Sequence, residues 1–166
     1  MNNFPDLDYL HSILECRDGA LFHKVNRGKA RAGNIAGSKC NLYWSVRIDK
    51  VNYYAHRLVF FMHNGWCPKY IDHINGNKTD NRIENLRTAT SEQNGQNAPV
   101  NKRNTSGIKG VTLDRRVNHW AARIRHNGTR RTLGYFQTKE LAAEFMELAR
   151  EMLHGDYANH GTFRSI

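Results

Sequence analysis

Cysteine is scarce in this chain. Cys16, Cys40 and Cys67 stand far apart and form no Cys-x-x-Cys pair, so neither a disulfide framework nor a thiolate zinc clip is suggested. Long apolar runs are missing as well. Nothing approaches the ~20 residues that a membrane-spanning helix needs, and the opening Met1-Asn2-Asn3-Phe4-Pro5-Asp6 has neither the basic nor the apolar region of a secretory signal. A soluble, non-secreted protein of a reducing cytoplasm, with no membrane partner, is expected. No internal repeat or low-complexity tract occurs. Acidic residues are the last deficit: 15 Asp and Glu stand against 25 Lys and Arg, a formal net charge of +10. That balance says nothing about fold but favours a polyanionic partner.

What is present suffices for modest cores. Of 166 residues 39% are hydrophobic, with three Trp, seven Tyr and seven Phe, too many for a fully disordered chain. The length admits one ordinary domain or two small ones. The positive charge is concentrated: residues 99–135 hold nine Lys or Arg against the single acid Asp114, whereas from Thr138 onward the charge is roughly balanced. A basic block beside a neutral one has the texture of a binding face.

Three stretches differ in local pattern. In residues 1–65, strand-like pieces run over 20–24, 43–48 and 51–54, with Asp49-Lys50 turning between the last two. Residues 56–63 are apolar and end at Asn64-Gly65, a stop suited to a helix C-terminus, although periodicity leaves helix and strand both open there. Residues 66–98 are dense in Asn, Asp, Thr and Gly. Within them 70–74 keeps strand character, Asn75-Gly76 is a turn and 86–88 supplies a return strand. Thr90 with Gln93 reads as a capping box that starts a short helix near Ser91. Residues 99–106 form a polar linker. Beyond it 110–113, 120–125 and 130–136 read as strands, the last two joined by Asn127-Gly128. Thr138 caps a helix that runs to about Leu153 and closes at Gly155. Leu141, Phe145, Leu148, Ala149 and Met152 share one face of it and are its expected core stripe.

Chemistry enters with Asp72-His73, Asn85 and Asn94. A phosphodiester resists hydrolysis because water attacks poorly and the leaving alkoxide is poorly stabilised. A His near the reaction pH takes the water's proton, and a divalent cation on oxygen ligands stabilises charge on the phosphate and leaving oxygen. An acid beside a His at a strand end, with another oxygen donor on the following helix, supplies both functions.

The run Asp72-His73-Ile74-Asn75-Gly76-Asn77-Lys78-Thr79-Asp80-Asn81-Arg82-Ile83-Glu84-Asn85-Leu86-Arg87, then Ser91-Glu92-Gln93-Asn94, resembles the HNH homing endonucleases of phages and mobile introns. The upstream Ala55-His56-Arg57-Leu58-Val59 resembles the segment before their nuclease motif. The resemblance implies metal-dependent nicking or double-strand cutting of DNA at a preferred site, a homing role and a phage or mobile-element origin. It implies His73 as general base, Asp72 as a metal ligand and Asn85 as a brace of the loop. Asn94, standing where many members have the last His, becomes the second ligand. With Asp72 the one anionic protein ligand, a hard ion completed by DNA phosphate is expected, Mg²⁺ first and Mn²⁺ as the alternative, and no zinc.

The C-terminal part has a resemblance of its own. Asn104-Thr105-Ser106-Gly107-Ile108-Lys109-Gly110-Val111, Trp120-Ala121-Ala122-Arg123-Ile124-Arg125, Leu133-Gly134-Tyr135-Phe136-Gln137-Thr138 and the Ala142-Ala143 helix are similar to the Apetala or ethylene-response-factor type of DNA-binding domain. Along 120–125, Trp120, Ala122 and Ile124 point to one face, while Ala121, Arg123 and Arg125 point to the other, where guanidinium groups meet phosphates or guanine edges. Lys109, Arg125 and Arg130 match positions of DNA-contacting Arg in that family, and Arg115 and Arg123 complete the expected DNA-binding set. Arg123 stands where plant members have an acid and Thr132 where they have Trp, so their target preference does not carry over.

The expectation is therefore an α+β chain. An HNH ββα-metal nuclease module with a β-rich N-terminal extension occupies residues 1–98, the linker 99–106, and a three-stranded antiparallel sheet packed on one helix 107–160. Double-stranded DNA is the expected partner, and no obligatory protein partner is evident. The rival from another class is a DNA-binding or transcriptional regulator with an inactive nuclease motif. RNA binding fits the charge and aromatics too, but the exposed-aromatic motifs of common RNA modules are not evident.

Overall fold

The computed structural model describes residues 4–161, which form the expected mixture of helices and small antiparallel sheets. The order is α1 (Leu7–Ile13), β1 (Leu14–Arg17), β2 (Ala20–His23), β3 (Ser38–Cys40), β4 (Tyr43–Ile48), β5 (Val51–Tyr54), α2 (Ala55–Asn64), β6 (Tyr70–His73), β7 (Leu86–Ala89), α3 (Ser91–Gln96), β8 (Val111–Asp114), β9 (His119–His126), β10 (Thr129–Phe136) and α4 (Lys139–His154). Contacts divide the chain into two compact units. One comprises the residues up to His73 with Asn77–Thr88; the other comprises Ile74–Gly76 and the residues from Ala89 onward.

In the first unit the hairpins β1–β2 and β4–β5 and two helices share a core that includes Leu10, Leu14, Leu21, Val46, Leu58 and Val59. Both hairpins use two-residue turns, Asp18-Gly19 and Asp49-Lys50, with positive φ at each position. Such turns match the twist of the strands they join. Gly19 has a second reason to lack a side chain: an added Cβ would stand 2.3 Å from the Arg82 backbone nitrogen. The β1–β2 turn thus presses on the loop that follows β6. The apolar segment left open between helix and strand is the helix α2, which Gly65 ends in a left-handed conformation.

In the second unit β9 runs between β10 and β8, and α4 covers one face. Val111, Ala122, Ile124, Ala142 and Met146 make the core, with Trp120 and Phe136 packed against it. The expected core stripe of α4 is corrected here. Ala142, Met146 and Arg150 are buried, whereas Leu141, Phe145, Leu148 and Met152 are exposed, Met152 to 86%. The cause is close approach. A Cβ at Gly110 would already lie 2.8 Å from the Met146 methyl carbon, and the buried stripe combines the small Ala142 with the unbranched Met146 and Arg150 against Gly110 and Ala122. Arg150 extends the buried stripe with its stem, and its guanidinium donates to His160 Nδ1 at 3.0 Å and to the Lys109 carbonyl.

Helix α3 begins with the expected capping box between Thr90 and Gln93 but buries no side chain. Its supports come from further along the chain. Lys109 donates to the carbonyls of Gln96 and Ala98, Glu92 accepts the Gly128 N–H at 3.2 Å, and Asn159 donates to the Asn97 side chain.

Candidate active site

Strand β6 ends on Asp72 and His73, both buried. The chain then runs through a polar loop and a single 3₁₀ turn, Ile83–Asn85, into β7, which pairs with β6. Asn85 is fully buried and its Nδ2 donates to the Asp80 carbonyl at 2.7 Å, tying the loop across five residues. Asp80 in turn accepts from Arg82 Nε and Nη2 at 2.9 and 2.7 Å. Buried Asn81 reaches back, with its Oδ1 3.2 Å from His73 Nε2. An amide oxygen only accepts, so this contact favours the tautomer that carries its hydrogen on Nε2. Burial pushes the His73 imidazole below its ordinary range, opposed by the Asn81 hydrogen bond and by Asp72 and Asp80. The ring is therefore neutral at neutral pH and can accept a proton.

Asp72 is 3% exposed, and Arg87 of β7 places Nε and Nη2 each 2.8 Å from its Oδ2. Among the described residues no group of three or more His, Cys, Asp or Glu side chains is arranged to hold a metal ion. A cation at Asp72 would have oxygen donors, which suits a hard ion, and the guanidinium shows that this buried carboxylate already attracts positive charge.

A cluster of rings adjoins His73. His56 meets it edge-on at 5.2 Å and Tyr43 lies 6.3 Å away. Tyr54 stacks on His56 at 5.6 Å, Tyr43 lies 5.3 Å from Tyr54, and the Lys78 ammonium sits 5.1 Å over Tyr43. Burial, reinforced by His73 and Arg57, lowers the His56 pKa to about 3, and its buried Nδ1 has no hydrogen-bond partner among the described residues. Asn81, Arg87, His56, Tyr43 and Tyr54 all stand outside the expected site. Asn81 and Arg87 fall within the motif run and His56 within the segment upstream of it, but nothing in the sequence assigned these residues a role at the site.

Asn94 lies on α3, in the other compact unit from Asp72 and His73. Of the expected DNA-binding residues, Arg125 and Arg130 are exposed cross-strand partners on the sheet face away from α4. Arg123, on the same face opposite Thr132, is half-buried and tied to Thr112 Oγ1 at 2.9 Å and Asp114 at 3.3 Å. Arg115 is exposed in the β8–β9 turn. Lys109 is set apart from these: its ammonium is turned onto the Gln96 and Ala98 carbonyls, and burial with Arg150 nearby lowers its pKa to about 8.

A profile of the HNH endonuclease family matches residues 53–96, from β5 to the end of α3. Over 97 residues the chain is 35% identical to Protein 3.8 of Escherichia phage T7, covering 57% of this chain and 79% of that one. Residues 53–96 thus carry an HNH endonuclease domain. The chain is also 33% identical over 120 residues to an uncharacterized HNH endonuclease of Acanthamoeba polyphaga mimivirus, 69% of this chain but 60% of the relative. No solved structure matches it significantly. Among the described residues no helix is long and apolar enough to cross a membrane.

Proposed function

We propose that the chain is a metal-dependent endonuclease that hydrolyses phosphodiester bonds of double-stranded DNA at a preferred site, serving homing in a phage or related element within the host cytoplasm. The observation that carries this reading is the His73 imidazole, buried at the end of β6, held through Nε2 by Asn81, neutral, and next to the Asp72 carboxylate. Such a group takes a proton from water at neutral pH. A divalent ion, Mg²⁺ or alternatively Mn²⁺, supplies charge stabilisation for the phosphate and leaving oxygen. Asp72 and Asn94 are the protein ligands offered to it, and Asn85 acts by keeping the loop in place. Residues 1–98 carry the nuclease function.

Residues 107–160 act as the Apetala or ethylene-response-factor type of targeting domain. The support is the pair Arg125 and Arg130, held directly opposite each other. Like charges in that position destabilise a sheet, and a polyanion over the face relieves the repulsion. Arg115 and Arg123 extend the same contact. Lys109 is better accounted for by its hold on α3 than by a DNA contact.

One observation favours the second reading, a DNA-binding regulator without catalysis: Arg87 occupies the carboxylate meant for the metal. Supercoiled plasmid incubated with the full chain decides. Cleavage should require Mg²⁺ or Mn²⁺, and His73→Ala should slow it by on the order of 10²–10⁴-fold while still shifting DNA in a gel. Equal cutting by His73→Ala overturns the assignment. Binding by the wild type with no cleavage in either ion returns the regulator.

A further inference from the structure

Strands β3, β4 and β5 turn Val46 and Ile48 into the core. Their other face follows from the register: Ser38, Ser45 and Tyr54 lie side by side, as do Cys40 and Tyr43, and Arg47 and Asn52. Tyr43 and Ser45 are half-buried and the rest exposed. The face offers aromatic rings, hydroxyls, an amide and a guanidinium, and none of the three strands contains an acid. At one end it merges with the rings around His73, because Tyr43 and Tyr54 belong to both. Tyr54 keeps 48% of its surface open even while stacked on His56.

We propose that this sheet face seats the DNA strand flanking the scissile phosphate, with Tyr54 stacking on a base or sugar and Arg47 and Lys78 contacting phosphates. The proposal rests on the reading of His73 as the nuclease base. Continuity with His73 fixes where the strand must pass. Cations without acids match a phosphate chain, and Ser45 and Asn52 can donate to its oxygens. The length fits too: from Tyr43 to Arg47 the strand advances about 13 Å, the rise of roughly four nucleotides of duplex. Packing of an aromatic ring on a sugar, or on a base opened from the duplex, tolerates any base, so this face holds DNA at the cut whatever the sequence, and site choice is left to other contacts.

The test uses the full chain on 30-base-pair duplexes substituted with 5-iododeoxyuridine, with Ca²⁺ replacing Mg²⁺ to hold off cleavage. After irradiation, crosslinks mapped by mass spectrometry should include Tyr54 or Tyr43. In Mg²⁺, Tyr54→Ala should raise KM for duplex about tenfold or more with a smaller effect on kcat, and Tyr54→Phe should restore it. Arg47→Ala should lower the slope of log Kd against log salt by about one. Crosslinks confined to residues 99–136, with KM and salt slope unchanged in these variants, overturn the proposal. The crosslink needs binding alone, so it reports on this face even if His73→Ala shows that the nuclease reading fails.

Discussion

Arg87 and Asp72 meet between the paired strands β7 and β6, with two guanidinium nitrogens each 2.8 Å from a single carboxylate oxygen. The residue assigned to the metal therefore already holds a cation, and the two positive charges compete for it. In Arg87→Gln a nearly buried carboxylate loses that counter-charge, a destabilisation of roughly 3–5 kcal/mol. Mg²⁺ should replace part of the loss, so millimolar Mg²⁺ should raise the Tm of Arg87→Gln more than that of the wild type. Thermal melts with and without the ion check this. A variant whose melting ignores Mg²⁺ tells against Asp72 as a ligand.

His56 gives a pH dependence of definite sign. The folded chain holds it neutral down to about pH 3, whereas the unfolded chain protonates it near 6.5. Between these values only the unfolded state takes up the proton, so stability is full above pH 6.5 and falls as pH drops toward 3. The loss from this residue is up to about 1.4 kcal/mol per pH unit. His56→Phe keeps a ring against Tyr54 and His73 and removes the titration. Its Tm should fall less steeply than the wild type's between pH 6.5 and 4; parallel curves would show that His56 is not held neutral.

Arg130→Ala should change stability and binding in opposite directions. Without DNA it removes the repulsion with Arg125 and should stabilise the fold by about 0.2–1 kcal/mol in low salt. With DNA it should weaken binding and reduce the salt slope by about 0.9. Undiminished affinity would remove the open sheet face as the DNA interface.

The packing of α4 separates two apolar residues that look alike in sequence. Met146→Ala should lose about 2–5 kcal/mol, whereas Leu148→Ala should stay within about 0.5 kcal/mol. Urea denaturation of the two variants measures both. Equal losses would mean that α4 faces the sheet differently.

Those residues also show where sequence reasoning reached its limit. The turns at Asp49-Lys50 and Asn127-Gly128, the capping box at Thr90 and the helix end at Gly155 were legible because each is a local choice of backbone angle or hydrogen bond. The inward face of α4 was not. Hydrophobic spacing picks out Leu141, Phe145, Leu148 and Met152, but how closely a helix approaches its sheet depends on Gly110 and Ala122, which lie elsewhere in the chain. Helix α1 escaped notice because it is seven residues long and passes straight into β1 without a turn signal between them. At the site, Asp72, His73 and Asn85 could be singled out from their order in the motif. Arg87 could not, since its link to Asp72 spans fifteen residues and exists only once β6 and β7 pair. Asn81 reads as one more turn residue until its side chain is seen on His73.

The supports of α3 bear on how proteins of this kind exchange parts. A six-residue helix with no buried side chain cannot hold itself together, and its clamps, Lys109, Gly128 and Asn159, all come from the C-terminal unit. A chimera spliced at the polar stretch after Asn97 would inherit the helix without its clamps. One spliced just before Ala89 would carry helix and clamps together, because both belong to the same compact unit.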